Sequence, residues 1–318
     1  MTQPRARGYL ANILYEKYHN DAYINNYDMK QWYKLPNEGK EIDDRYRSKF
    51  LNFVEPDDLT LTWLENSKAK SADLWLQLWH IFCKTILKLF LTQTCCNGLL
   101  KRGSMFILSE NQFANLLLHG GLNFGNETNI NFLDVGAGDG EITLRLAKSL
   151  IQINSNISLK VFTTESSYIM KDRLREKNFT VINDVRDLEN NSVHLIACLN
   201  VLDRCTDPKS LLNDIRNALH PDGRVILALV LPYNHYVERS STHLPIEPLL
   251  PHWPSKCGHL PFNEEINVFF QQLEIMGFRI ESFTKTAYLC EGDLRQSFYW
   301  LIDVVVVLSK TSSHCNNK

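Results

Sequence analysis

Between Asn131 and Glu141 the chain reads Asn-Phe-Leu-Asp-Val-Gly-Ala-Gly-Asp-Gly-Glu. A short apolar run ends in an acid, three glycines follow at alternate positions, and a helical pattern begins. Glycine lets the backbone turn tightly there and come close to a ligand. Such a strand-turn-helix joint predicts a nucleotide-like ligand at the carboxyl end of a parallel sheet. The spacing Gly136-x-Gly138-x-Gly140 lacks the wider G-x-G-x-x-G pattern that seats a pyrophosphate on a helix N-terminus. Two carboxylates, Asp134 and Asp139, flank the turn. They repel a pyrophosphate and suit a cationic sulfonium-amino acid, so the turn reads as a site for S-adenosylmethionine. A tight turn with no ligand is the plainer reading.

From residue 131 onward strands and helices alternate, the mark of a parallel α/β sheet. Strands are expected at 132–134, 159–164, 180–182, 194–199 and 225–231. A helix begins at Asp207-Pro208, and another runs from Asn263 to Met276. No helical pattern separates the last two strands, which start near Arg279 and at Tyr299, so they read as an antiparallel pair. The expected fold is a Rossmann-like doubly wound sheet of about seven strands with the last antiparallel, preceded by helices.

Three regions are expected. Residues 1–70 are polar and rich in Tyr and Asn, and read as a loosely structured or short-helical extension. Residues 71–125 form a helical cap that contributes to the cofactor site. Residues 126–318 form the ligand-binding domain, with a Pro-rich insertion at 232–261 that holds six of the 11 prolines. That density predicts an ordered loop.

The stretch from Leu74 to Leu91 is the strongest membrane candidate. Gln77, His80, Lys84 and Lys88 fall on one helical face, and a span needs about 20 largely uncharged residues. It reads as an amphipathic helix packed on the domain, with a membrane-surface helix as the second reading. No apolar leader follows Arg5 and Arg7, and no transmembrane segment is expected.

The formal net charge is −2, with 34 basic and 36 acidic side chains, which gives nucleic acid no electrostatic footing. The eight cysteines form no C-x-x-C, so they read as reduced thiols in a reducing compartment. His235, His243, His252, His259 and Cys257 in the insertion match no zinc spacing. No metal is expected, and the insertion reads as a lid or substrate wall.

The ordered motifs resemble class I S-adenosylmethionine-dependent methyltransferases. Four segments narrow this: Asn97 to Phe106 (NGLLKRGSMF), Cys198 to Cys205 (CLNVLDRC), Gly223 to Pro232 (GRVILALVLP) and Tyr288 to Asp293 (YLCEGD). Together, over about 75–310, they resemble the methyltransferase-like protein 9, or DREV-type, protein-histidine methyltransferase family. The resemblance implies methyl transfer to the N-pros (Nπ) nitrogen of histidine in His-x-His sequences of partner proteins, where x is small. It implies S-adenosyl-L-methionine as donor and S-adenosyl-L-homocysteine as product. Two departures bear on localisation and on substrate choice: the N-terminus lacks the apolar leader of some members, and the 232–261 insertion differs after Pro232. An intracellular, cytoplasmic monomer is expected, with endoplasmic reticulum or mitochondrial association left open by the resemblance.

Glu165 ends the second strand, where an acid can accept both ribose hydroxyls; a solvated cap is the plainer reading. Asn183 and Asp184 follow the third strand, within reach of an adenine amine. Arg102, Gly103 and Ser104 precede the sheet; the resemblance puts them over the cofactor, where Arg102 could pair with the methionine carboxylate. By themselves they read equally as a surface turn. Asn200 and Asp203 follow the fourth strand, whose end faces the transferred methyl in this superfamily. Histidine methylation needs one ring N–H held so that the other nitrogen faces the sulfonium. Asp203 is the choice for that acceptor, and Asn200 for positioning the ring or peptide. Tyr299 is a further candidate contact, though a tyrosine there also suits a core. Glu291 and Asp293 are candidates for substrate backbone amides or a second histidine, or form a plain acidic turn. The ten histidines include no His-x-His pair, so self-methylation at that motif is not expected. The competing readings are a methyltransferase of this fold with another acceptor, and a non-catalytic scaffold.

Overall fold

Eight strands form one sheet in a computed structural model that describes residues 8–90, 93–237, 242–251, 253 and 260–311. The strands are β1 (Met105–Phe106), β2 (Asn129–Val135), β3 (Ser158–Thr164), β4 (Thr180–Ile182), β5 (Val193–Leu199), β6 (Leu219–Val230), β7 (Phe278–Glu291) and β8 (Phe298–Lys310). Their order is β1-β7-β8-β6-β5-β2-β3-β4. The run from β6 to β4 is parallel, whereas β8 pairs antiparallel with β6 and β7. The predicted antiparallel pair is therefore present. The strand missed by sequence is β1, two residues that add antiparallel to β7 through Met105–Cys290 and Phe106–Leu289.

The helices are α1 (Tyr9–Asn26), α2 (Asp44–Arg47), α3 (Asp58–Ala72), α4 (Leu74–Leu87), α5 (Gln93–Leu99), α6 (Glu110–His119), α7 (Glu141–Ile153), α8 (Tyr168–Glu176), α9 (Pro208–Ala218) and α10 (Phe262–Ile275). Local chemistry sets their ends. Ser109 and Gln112 form a capping box at α6, which satisfies two otherwise orphaned N–H groups. Asp207 accepts from the Ser210 N–H at 3.0 Å and Pro208 opens α9. In α7 the buried Thr143, Leu146, Ala147 and Leu150 recur at helical spacing and face the sheet. The central strands are buried on both faces, so β5 and β6 read as continuous apolar runs rather than alternating ones.

The described part of the N-terminal region, residues 8–70, is not loose. Trp32, Tyr33 and Tyr46 are about 1% exposed. Trp32 packs against Phe298 and Trp300 of β8. The Tyr46 hydroxyl donates to Glu274 at 2.8 Å, and Lys49 and Leu51 exchange backbone hydrogen bonds with Phe283. The segment covers the β7–β8 side of the sheet. Its polar composition hid this, because a few large aromatics carry the burial.

A second finding is the orientation of α4. Gln77 and His80 face the protein together with the half-buried Leu76, Leu78, Cys83 and Leu87, while a second apolar stripe faces outward. Gln77 is buried and donates to the Lys70 carbonyl at 2.8 Å, while Trp75, Trp79 and Phe82 stand in solvent. No helix of the described residues is long and apolar enough to cross a membrane.

Candidate active site

The site lies at the carboxyl ends of β2, β3 and β5. After Val135 the chain turns through Gly136, Gly138 and Gly140, with φ values of 72°, 57° and 79°. The Gly136 and Ala137 N–H groups both donate to the Thr164 carbonyl at 3.0 Å, which ties the turn to the end of β3. The glycines are there for different reasons. A Cβ on Gly136 would sit 2.6 Å from Val201 Cγ2, so the β5 loop packs against it. A Cβ on Gly138 would meet only Met105 Cε, at 3.8 Å, so it faces open space. That space is where a ligand can approach the backbone.

Acids surround the turn. Glu165 Oε2 accepts the Gly138 N–H at 3.0 Å, and Oε1 accepts those of Ser166 and Ser167 at 2.6 and 2.9 Å. The Ser166 hydroxyl also donates to Oε1 at 3.2 Å, so Oε1 is filled, while Oε2, with one donor, keeps a lone-pair direction open for a ribose hydroxyl. Asp139 accepts the Glu141 N–H at 3.1 Å, and burial pushes its carboxyl up. A cavity of about 450 Å³ opens beside it, bordered by Ser104, Lys101, Arg173 and Glu291. An acid-lined turn with open backbone fits a cationic amino-acid ligand.

Asp134 is buried and accepts from the Thr143 hydroxyl at 2.5 Å. Burial pushes its carboxyl up to about 7; the Thr143 bond opposes this and Glu165 adds to it. The folded chain therefore holds a proton that the unfolded chain has lost. The associated stability is fully present below the unfolded carboxyl's value of 3.8 and is lost as pH rises toward 7. Asp134→Asn removes this titration. The variant is expected to gain on the wild type by roughly 1.4 kcal/mol per pH unit between about pH 4 and 7, and by nothing more above that. Denaturant unfolding across the range measures it, and a pH-independent difference would refute it.

The predicted Asn200 and Asp203 come together after β5. Asn200 takes a positive φ of 57°, its N–H donates to the Ala228 carbonyl at 3.0 Å, and its amide donates to Asp303 Oδ2 at 2.7 Å. Asp203 is 5% exposed and its Oδ2 lies 3.8 Å from Arg204 Nε. Burial raises the Asp203 carboxyl, against the pull of Arg204. Three buried oxygens here have no hydrogen-bond partner among the described residues: Asn200 Oδ1, Asp203 Oδ1 and Asp303 Oδ1. A buried acceptor without a donor is costly, which makes Asn200 and Asp203 candidates to accept from a bound ligand. Asp203 also borders a cavity of about 550 Å³ with Arg204, Asn234, Tyr236 and Trp300.

Asp303 is a functional candidate that the sequence reading missed. It is fully buried on β8, and burial raises its carboxyl well above the usual range. The signal was present: one acid interrupts Leu301-Ile302-Asp303-Val304-Val305-Val306-Val307, an otherwise apolar run in a central strand. An acid is almost never fully buried unless paired, and here the partner is Asn200.

The other candidates fall into two further groups. Arg102 Nε pairs with Glu291 at 3.2 Å, and its other nitrogens reach Gln77 at 3.0 Å, His80 at 2.7 Å and the Gly292 carbonyl. The Glu291 N–H donates to the Ser104 carbonyl at 2.9 Å, and the Ser104 N–H donates to the Glu291 carboxylate at 3.1 Å. Gly103, at φ 77°, makes the turn between them. The Arg102 segment is thus gripped by the β7 terminus rather than lying as a surface turn. The Tyr299 hydroxyl donates to Asp293 at 2.9 Å, apart from the Asn200–Asp203 pair, where the β7–β8 hairpin turns. Asn183 is exposed beside Lys171, and Asp184 caps the following turn and pairs with Arg186, which holds its carboxyl down at about 2.

The described start of the insertion is stitched over the β5 loop. The Tyr236 N–H donates to the Asp203 carbonyl at 2.9 Å and the Ile246 N–H to Thr206 at 2.8 Å. His235 is buried between the Tyr233 hydroxyl and the Cys205 carbonyl. His252, Cys257 and His259 lie outside the described residues. At the opposite end of the sheet Glu127, His194 and His220 gather. Both imidazole Nδ1 atoms accept backbone N–H groups, from Asn131 at 3.0 Å and Asp222 at 3.2 Å. Each neutral ring therefore carries its proton on Nε2, the atom an ion would need. The group is a hydrogen-bonded cluster.

Several solved structures are similar in outline. They include the trans-methyltransferase CalH in complex with SAH (15% identity, 80% of this chain and 73% of that one, TM-score 0.45). A second is the CurJ carbon methyltransferase (16%, 79% and 66%, TM-score 0.43). A third is a TehB-like SAM-dependent methyltransferase from Corynebacterium glutamicum (17%, 64% and 89%, TM-score 0.38). At these scores they carry no argument about residues. The family model for DREV methyltransferase, by contrast, matches residues 32–310, nearly the whole described chain. It takes in the glycine turn, Glu165, the Asn200–Asp203 loop and the last hairpin. S-adenosylmethionine is the methyl donor of this chain. The sheet order, the acid-lined turn and the matched span lead to one assignment: the chain belongs to the DREV methyltransferase family.

Proposed function

We propose that this methyltransferase acts on the Nπ nitrogen of histidine in His-x-His sequences of partner proteins, with x small. The observation that carries this is the unpartnered Asp203 Oδ1 of a residue lining a cavity of about 550 Å³, with Asn200 Oδ1 and Asp303 Oδ1 also buried and unpartnered among the described residues. A neutral imidazole is already nucleophilic at one nitrogen, since its pKa is near ~6.5. It needs its other N–H held. Asp203 Oδ1 accepts the Nτ–H, fixes the tautomer and stabilises the cation that grows as Nπ is alkylated. Asn200, held by Asp303, orients the ring or its backbone. The cofactor supplies the methyl group, and in this reading Asp134, Gly136, Gly138, Asp139, Glu165 and the Arg102–Ser104 segment hold it, with Asn183 at the adenine. Glu291, Asp293 and Tyr299 line the approach of the peptide.

If Asp203 holds Nτ–H, product from a His-Ala-His peptide and labelled cofactor is expected to be Nπ-methylhistidine with little Nτ isomer. A bulky central residue is expected to slow the reaction. Chromatography of acid hydrolysates separates the isomers. A predominance of Nτ-methylhistidine would reverse the ring orientation, and no transfer to any histidine peptide would remove the acceptor from this proposal.

A further inference from the structure

The α4 segment turns an apolar stripe to solvent. Gln77 and His80 point inward, where they receive Arg102 and where burial lowers the Lys84 ammonium. Its outer face carries Trp75, Trp79, Phe82 and Ile86, continued by Leu89 and Phe90 just past the helix. These recur at three- and four-residue spacing, so they form one stripe. Trp75 is 83% exposed, Trp79 60% and Phe82 59%. Exposed apolar residues scattered singly need no explanation, but a contiguous stripe of this kind does.

We infer that this face docks on an anionic lipid surface, with α4 lying in the plane of the membrane. Three observations favour lipid over a protein partner. Gln77, His80 and Lys84 are turned toward the domain, so the outward stripe offers little beyond the indole N–H groups of Trp75 and Trp79 to fix a partner's register, and those suit the headgroup level of a membrane. The one exposed hydroxyl, Thr85, donates to the Ile81 carbonyl of its own helix at 2.8 Å. Protein interfaces carry about one hydrogen bond per 100–200 Å², whereas lipid tails ask for none. Second, Lys84 and Lys88 are the only charged side chains between Leu74 and Phe90, and Lys88 is exposed. Lysine beside Trp, Phe and Leu is the pattern of interfacial helices. Third, α4 is 14 residues long, or about 21 Å at 1.5 Å per residue. That is too short to span and suited to lying flat. Because the inner face grips Arg102, and through it Glu291 and Gly292, docking sets the cofactor-side mouth close to the lipid. This inference does not depend on which acceptor is methylated.

The test is flotation of the full chain with phosphatidylcholine vesicles, with and without phosphatidylserine. The chain is expected to float with the phosphatidylserine vesicles, with its indole fluorescence quenched by brominated acyl chains. Trp79→Glu with Phe82→Glu alters two exposed positions. It is expected to cut the floated fraction at least tenfold while leaving thermal unfolding and S-adenosylhomocysteine binding unchanged. Lys88→Glu is expected to weaken binding to the phosphatidylserine vesicles alone. Absence of flotation and of quenching in the wild type would overturn the proposal, a result that needs no variant to fold. So would a wild-type dimer that the Trp79 and Phe82 substitutions dissociate without any vesicle binding, since the face would then join two copies of the chain.

Discussion

Replacing Asp203 with asparagine is expected to lower turnover by ~10²–10³-fold while S-adenosylhomocysteine affinity stays nearly unchanged. The side chain keeps its size and can still offer an oxygen to the acceptor N–H. It loses the charge that stabilises the imidazolium formed as the methyl arrives, and a charge-assisted hydrogen bond is roughly twice as strong as a neutral one. Stability should not confound the result. Burial holds the Asp203 carboxyl above its ordinary value, so the carboxylate is disfavoured where it sits. The amide is expected to melt no lower than the wild type at neutral pH. The pH profile gives a second readout. Wild-type rate should fall on acidification through two protonations, of the acceptor imidazole and of Asp203, whose raised carboxyl titrates at higher pH than an exposed one. The variant keeps only the first. Turnover within threefold of wild type, under conditions where transfer limits the rate, would move the orienting role to Asn200 or its partner Asp303.

How far these roles were legible follows from where each signal sits in the chain. The parallel half of the sheet was readable because its strands are continuous apolar runs separated by helices, one of them capped at Asp207. The glycine turn was readable because its three glycines need positive φ, which few other residues accept. The last hairpin was readable because no helical pattern separates β7 from β8. Long-range pairing was not. The two-residue β1 exists only because Met105 and Phe106 meet Cys290 and Leu289, and nothing local marks it. The packed N-terminal segment was hidden because Trp32, Tyr33 and Tyr46 are isolated among polar neighbours. The orientation of α4 was not legible because amphipathicity fixes two faces but not which one turns inward. That was decided by Arg102, whose guanidinium needed Gln77 and His80. At the site, Asn200 and Asp203 were legible from their place after a strand, whereas Asp303 lies a hundred residues away on β8 and reaches them only through the β6–β8 pairing.

The cofactor side rests on the turn, and the two glycines there make different tests. At Gly136 a side chain would strike Val201 first, with its Cβ 2.6 Å from Cγ2. Substitution there disturbs the loop that carries Asn200 and Asp203 before it reaches any ligand, so lost activity would not identify the cofactor site. Gly138 separates the two effects. Its Cβ would enter open space with its nearest neighbour at 3.8 Å, and φ of 57° is a left-handed value that a non-glycine residue adopts at a cost of roughly 1–2 kcal/mol. Gly138→Arg is therefore expected to leave a folded, slightly less stable protein. The guanidinium stem would occupy the space beside Glu165 and Asp139, and its charge would satisfy the acids that otherwise meet the cationic ligand. Affinity for S-adenosylhomocysteine is expected to fall at least a hundredfold by calorimetry, a larger change than the strain alone accounts for, since 1.4 kcal/mol is a factor of ten. Gly138→Ala carries the same backbone strain with far less bulk and should lose much less. Equal losses in the two variants would mean that strain, not occupancy, controls binding. Unchanged affinity in Gly138→Arg would place the cofactor away from this turn.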